Sequence, residues 1–163
     1  MTTIQGRIWK FGDNIDTDII IPANRLVLPL EEMKAYAMAP VDPGFAGQVA
    51  MGDIIVAGRN FGCGSSREQA PAVLKSLGIS AIISKSFARI FYRNAINLGL
   101  PVIECADIFD HVEQGAHVAI TPAEGTIHVP ETGRTFAGSR LPDFLLEIMQ
   151  AGGLISYLKT QMI

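Results

Sequence analysis

An α/β fold with a mixed sheet, parallel at its core and antiparallel at its periphery, is the class this sequence predicts. Three observations carry that expectation. Residues 53–57 form a short apolar run with turn signals on both sides, the pattern of a buried strand. From there to residue 104 strand-like and helix-like segments alternate, the β-α-β-α-β order of a parallel core with right-handed crossovers. Beyond residue 106 the pattern changes to short strand-like pieces divided by turn residues.

In chain order, Ile4–Phe11 alternates loosely and reads as a first strand. The polar run from Gly12 to Asp18 leads into the β-branched Ile19-Ile20-Ile21 ahead of Pro22. Residues 23–52 hold a short helix candidate at 31–38 and a stretch rich in proline and glycine. They read as a long excursion from the core, and long loops of compact domains are often functional. The strand at 53–57 empties into a glycine-rich turn at 58–66, and a helix follows from about Arg67 to Leu77, closed by Gly78. A strand at 80–84, a helix at 87–98 ending at Gly99 and a strand at 101–104 complete the alternation. A short helix near 108–114 precedes strands at His117–Thr121 and Thr126–Val129, which turn on Glu124-Gly125. A third strand-like piece follows Gly133, and helices at 142–150 and 154–162 end the chain.

Length and composition bound the function. The chain of 163 residues suits one domain spanning 1–163, and 48 % hydrophobic against 18 % charged residues is a globular balance. A net charge of -3 offers no basic face for nucleic acid. No segment reaches the roughly 18 uninterrupted apolar residues of a membrane helix, so no membrane association is expected. The first residues, Met1 to Arg7, lack the apolar stretch of a signal peptide, which points to the cytoplasm. Two cysteines, Cys63 and Cys105, are too few for a disulfide framework. They are also too few for an iron–sulfur cluster, which takes about three or four thiolates. No spacing of His, Cys, Asp and Glu resembles a zinc site, and no metal ligand is assigned to this chain.

Residues 60–69 hold the strongest chemical signal. A buried strand ends, glycines follow, and two serines open a helix. Gly62 and Gly64 allow a ligand close to the main chain. Ser65 and Ser66 stand at N-cap positions with Glu68 and Gln69 as capping-box partners. Free N–H groups at such a helix start attract anions, and Arg67 adds a planar fork suited to carboxylate or phosphate. Pro71 conflicts with a helix from Arg67, so the helix either starts a residue or two later or has a distorted first turn. An ordinary cap on a strand-to-helix turn is the plain alternative. The glycine spacing matches neither a Walker A loop nor the dinucleotide fingerprint. A hydrolase triad would need a histidine for its serine, and His111, His117 and His128 all fall late in the chain outside any motif.

Three segments together resemble the swivelling β/β/α domain of the aconitase superfamily, in its free-standing small-subunit form. They are Gly12-Asp13-Asn14-Ile15-Asp16-Thr17-Asp18-Ile19-Ile20, then Asn60-Phe61-Gly62-Cys63-Gly64-Ser65-Ser66-Arg67-Glu68, then residues 84–95 from Ser84-Lys85-Ser86-Phe87 to Asn94-Ala95. Their order and spacing match, and the likeness covers essentially the whole chain. The resemblance implies a hydro-lyase of the 3-isopropylmalate dehydratase type, active only with an iron–sulfur large subunit as a heterodimer or heterotetramer. Such an enzyme isomerises 2-isopropylmalate and 3-isopropylmalate through 2-isopropylmaleate in leucine biosynthesis. It further implies that the 4Fe–4S cluster lies on that large subunit, that Ser65 is the base removing the carbon-bound proton, and that Arg67 clamps a carboxylate of a small dicarboxylate substrate with Ser66 beside it. The helix start and Arg67 would supply the positive field such a base and carbanion need. Asp18 would orient the active-site loop or a proton-carrying group; the plain alternative for Asp16 and Asp18 is an Asx turn. Arg89 and Arg93 would bond loop carboxylates such as Asp16, or face solvent. Cys63 is not the nucleophile of the pattern.

Substrate choice in the family rests on a short loop, here within about 22–52. Its usual pattern is Tyr-Leu-x-Thr, and this sequence reads Arg25-Leu26-Val27-Leu28. Homoaconitase-like members carry arginine where Val27 stands, and valine suits an apolar isopropyl branch. Arg25 occupies the tyrosine position, where with Val27 it would bind substrate by pointing into the site; that leaves citraconate, dimethylmalate, homoaconitate and similar malate-type substrates open, as well as a non-catalytic anion-binding module.

Overall fold

The computed structural model describes residues 3–162. Met1, Thr2 and Ile163, the ends of the expected 1–163 unit, lie outside the described residues. Among the described residues, seven strands, β1 Ile4–Phe11, β2 Ile54–Ala57, β3 Ala81–Ser84, β4 Val102–Glu104, β5 His117–Thr121, β6 Thr126–Val129 and β7 Arg134–Ala137, form one sheet in the order β4-β3-β2-β1-β5-β6-β7. Strands β1 to β4 pair in parallel, and β1 with β5, β5 with β6 and β6 with β7 pair antiparallel. The direction therefore changes at β1. The helices are α1 Thr17–Ile20, α2 Leu30–Met33, α3 Phe45–Gln48, α4 Gln69–Ser76, α5 Arg89–Asn97, α6 Asp143–Ala151 and α7 Leu154–Gln161.

Strands β2 and β3 are buried along their whole length, as their unbroken apolar runs require. The two-residue period of a strand splits their side chains between two cores. Ile55, Ala57 and Ile82 join Phe45, Val73, Leu74 and Phe91 on the helical side. Ile54, Val56, Ala81 and Ile83 join Val118, Ile127 and Phe136 of the antiparallel half on the other. The edge strand β4 is not left open. The Ser139 N–H donates to the Glu104 carbonyl at 2.8 Å, and the Glu104 N–H donates to the Ser139 hydroxyl at 2.9 Å. That covers an edge that would otherwise invite pairing with another chain.

Ile19 and Ile20, to which the sequence reading gave no element, lie in α1, because extended Asp16 caps that turn through its carboxylate, 2.8 Å from the Ile19 N–H, while Ile21 is its extended C-cap. Elsewhere outside the glycine-rich turn the structure departs from the sequence reading in two places. Residues 23–52 do not leave the core. Met33, Ala37, Met38 and Phe45 are buried, and the Phe45 ring meets Trp9 and Phe11 edge-on at 5.0 and 5.5 Å. The single helix expected at 31–38 is broken into α2 and a 3-10 turn at Lys34–Tyr36, and the helix expected near 108–114 is a 3-10 turn at Ile108–His111.

Asp53, just before β2, ties this region to the sheet. Its carboxylate accepts from the Trp9 indole at 2.8 Å, from the Ala50 N–H at 2.8 Å and from Arg7 at 3.1 Å. Burial pushes its pKa upward, but the hydrogen bonds from Ala50, Trp9 and Arg7 and the Arg7 charge outweigh burial and hold it below the usual value. A lowered folded-state pKa contributes stability above the unfolded value, lost as pH falls through the folded value. Asp53→Asn is therefore expected to lose about 1–3 kcal/mol at neutral pH. It should also show a shallower fall in stability below about pH 4. Urea unfolding of both proteins across that range checks this; parallel stability curves would contradict it.

Candidate functional site

The register of the parallel strands sets Phe11 beside Ala57 and Ala57 beside Ser84, so β1, β2 and β3 end side by side. The loops that leave them are the three segments singled out in the sequence. In open α/β sheets, ligands bind beyond such carboxyl ends. Hydrogen bonds lace the first loop to the second. Arg59 N–H donates to the Asp13 carboxylate at 2.7 Å, Asn14 N–H to the Arg59 carbonyl at 2.8 Å, Gly62 N–H to the Ile15 carbonyl at 2.7 Å, and Thr17 N–H to the Cys63 carbonyl at 2.9 Å. The Thr17 hydroxyl donates to the Ser65 carbonyl at 2.9 Å. The second loop is held to the third: Phe61 N–H reaches the Ser86 carbonyl at 3.0 Å, and Ala88 N–H reaches the Phe61 carbonyl at 2.9 Å. Gly62 has φ +82°, and a Cβ there would fall 2.2 Å from the Phe91 ring, so only glycine fits between this turn and α5.

The helix after the turn starts at Gln69, not Arg67, and its capping residue Glu68 makes no side-chain cap bond. The expected caps at Ser65 and Ser66 are thus corrected. Pro71 is the reason: it is accommodated as the third helical residue, where its missing N–H is one the helix leaves unpaired in any case. The consequence is chemical. Ser65 and Ser66 are exposed, and neither hydroxyl is committed to a cap. Among the described residues, no acceptor takes the backbone N–H of Ser65, Ser66 or Arg67.

These residues line a cavity of about 120 Å³, together with Thr17 and the first turn of α5. The Arg67 side chain is only 14 % exposed; its guanidinium lies 2.5 Å from the Asp18 carboxylate and 3.3 Å from the Ile21 carbonyl. Asp18, 63 % exposed at its side chain, is therefore the partner that aims Arg67. The Asx alternative holds for Asp16, which caps α1, and not for Asp18. Burial, then the nearby Asp16 carboxylate, pushes the Cys63 thiol pKa up, which keeps it a neutral thiol and a poor nucleophile.

The remaining expected residues fall elsewhere. The Arg25 guanidinium stacks 4.0 Å above the Tyr36 ring, and Val27 is 88 % exposed; neither lines the cavity. His117 pairs with Glu131, His128 with Thr135 and His111 with Arg134, all on the antiparallel half, which leaves Ser65 without a histidine partner. Arg89 lines the cavity, a place the sequence reading does not give it, and among the described residues it has no ion pair with Asp16. Its place directly after a parallel strand, at a helix start, was the signal that could have found it. Among the described residues, no group of three or more His, Cys, Asp or Glu side chains is placed to hold a metal ion.

Comparison with known proteins identifies the family. Residues 37–107 match the model of the aconitase C-terminal domain. The chain is 53 % identical over 160 residues to the isopropylmalate/citramalate isomerase small subunit of Methanocaldococcus jannaschii, covering 98 % of this chain and 95 % of that one. It is 51 % identical over 157 residues to the 3-isopropylmalate dehydratase small subunit of Halothermothrix orenii, covering 96 % and 95 %. The crystal structure of 3-isopropylmalate dehydratase from Methanocaldococcus jannaschii superposes with a TM-score of 0.92 at 45 % identity, over 99 % of this chain and 96 % of that one. The parallel-core mixed sheet, the three converging loops and these likenesses together make the chain a member of the 3-isopropylmalate dehydratase small-subunit family of the aconitase superfamily.

Proposed function

We propose that this chain is the small subunit of a hydro-lyase that interconverts 2-isopropylmalate and 3-isopropylmalate by dehydration and rehydration through 2-isopropylmaleate. The observation that carries the reading is the uncapped, exposed Ser65 beside Arg67, in a cavity where the three motif loops meet. Ser65 serves as the base for the proton next to a carboxylate, and Arg67 grips that carboxylate through its planar fork. Ser66 and the free N–H groups of the turn assist, and they lower the cost of negative charge as it develops. Asp18 keeps Arg67 aimed until a substrate carboxylate shares the guanidinium.

Two cysteines, one of them held as a thiol, do not make a cluster site, so this chain's residues do not fit a 4Fe–4S group. The reading places that cluster on a large-subunit partner, in a heterodimer or heterotetramer in the cytoplasm. Lewis-acid assistance to the departing hydroxyl is the chemistry that partner contributes. Residues 1–163 act as one swivelling domain, and the segment 22–52 selects the substrate. Val27, 88 % exposed beyond Ile21, would bury against the isopropyl branch, a contact contributing about 0.8 kcal/mol per CH₂. Arg25, stacked on Tyr36, braces the same loop. A second reading, a citramalate-type substrate with a smaller branch, is favoured by the name of the relative at 53 % identity.

Mixed anaerobically with an iron–sulfur large subunit, the chain should form 2-isopropylmaleate, followed by its ultraviolet absorbance. Ser65→Ala should assemble normally and lose about 10²–10⁴ in rate; near-full turnover would remove the base assignment. Val27→Arg should shift preference toward tricarboxylates, measured as the ratio of kcat/KM values, and an unchanged profile would remove the role of the loop.

A further inference from the structure

We infer that Arg89 is a second carboxylate-binding residue of this site, holding the acid group that Arg67 does not. The inference rests on the hydro-lyase reading above and deepens it. Malate-type substrates are dianions, and Arg67 alone does not offset both of their charges. Its guanidinium is paired with Asp18 at 2.5 Å and bonded to the Ile21 carbonyl, so that side of the cavity is close to neutral before any ligand arrives.

Arg89 is the other cation among the described residues that line the cavity. It is exposed, and it makes no ion pair or side-chain hydrogen bond with a described residue. Arg7 is engaged by Asp53, Arg134 by His111, Arg140 by the Ala123 carbonyl and Arg25 by the Tyr36 ring. Arg93, one turn further along α5, is also exposed and shares the groove beside α6 with Arg89, but it does not line the Ser65 cavity. The Arg89 backbone is anchored beside the Ser65 loop. The preceding residue, Ala88, is pinned through its N–H to Phe61 on the Ser65 loop, and the Phe61 ring meets Phe87 and Phe91 at 6.1 and 5.2 Å on either side of it. An exposed guanidinium carried on that anchored backbone offers a planar fork to a carboxylate. Gripping both ends of the diacid would fix the carbon between them relative to Ser65, the kind of orientation on which proton abstraction depends.

The test uses the assembled enzyme, with Arg89→Gln and Arg89→Lys against wild type. Three competitive inhibitors probe the site: 2-isopropylsuccinate and the mono-acids obtained by removing either carboxylate, 4-methylpentanoate and 2,3-dimethylbutanoate. Arg89→Gln should weaken the diacid by about 10–100-fold. It should leave one mono-acid unchanged, the one lacking the carboxylate that Arg89 holds, while Arg89→Lys recovers part of the loss. Unchanged diacid inhibition, or equal weakening of all three probes, would overturn the inference while wild-type turnover upheld the hydro-lyase reading. A wild-type mixture that turned over no isopropylmalate would strike the hydro-lyase reading itself, and this inference with it.

Discussion

The hydrogen bonds that stitch the loop after β1 to the loop after β2 are the constraint on which this molecule's chemistry depends. Gly64, Ser65 and Ser66 are exposed, so packing does not position them. Their place is set from below, by the Gly62 N–H on Ile15, the Thr17 N–H on Cys63 and the Thr17 hydroxyl on the Ser65 carbonyl. Each such bond has a net worth of only about 0.5–1.5 kcal/mol. Together they hold a reactive hydroxyl on a rigid sheet edge while leaving it open to a ligand, and catalytic groups tolerate little misplacement. The buried strands β2 and β3 supply the rigidity, and the parallel register supplies the coincidence of the three loops.

Charge is arranged with the same economy. Arg67 is mostly withdrawn from solvent, and Asp18 meets it from the exposed side. Burying a lone guanidinium would be costly, so the pair offsets that cost and keeps the fork aimed. The arrangement leaves the cavity short of net positive charge, and Arg89 at the start of α5 is the group that restores it. Cys63, held as a neutral thiol by burial and Asp16, adds no negative charge beside Ser65.

Much of this is legible in the sequence. The strands from 4 to 137 were readable because short apolar runs bounded by glycine, proline or polar turns admit few other structures, and the three motifs marked the loops that converge. Other features were not legible, for identifiable reasons. The run at 19–21 has strong β propensity, yet one carboxylate on Asp16 turns it into a helical turn, a local bond winning over an intrinsic preference. Residues 23–52 have the proline and glycine content of a surface loop, and nothing local announces that Phe45 will reach Trp9 from 36 positions along the chain. The true start of α4 was signalled by Pro71, but two serines followed by Glu68 and Gln69 imitate a capping box. Helical spacing placed Arg89 on the outer face of α5. Its place after a parallel strand hints at the site, but the fold is what sets this face beside the Ser65 cavity.

The central claim is that an uncapped hydroxyl at position 65 faces a diacid held by neighbouring arginine. The most direct measurement is a structure of this chain assembled with its large subunit and a bound malate-type diacid. The Ser65 oxygen should lie within about 3.2 Å of the carbon that yields the proton, with Arg67 on the adjacent carboxylate. A diacid bound with Ser65 turned away from it, its hydroxyl bonded back into the α4 helix start, would contradict the account.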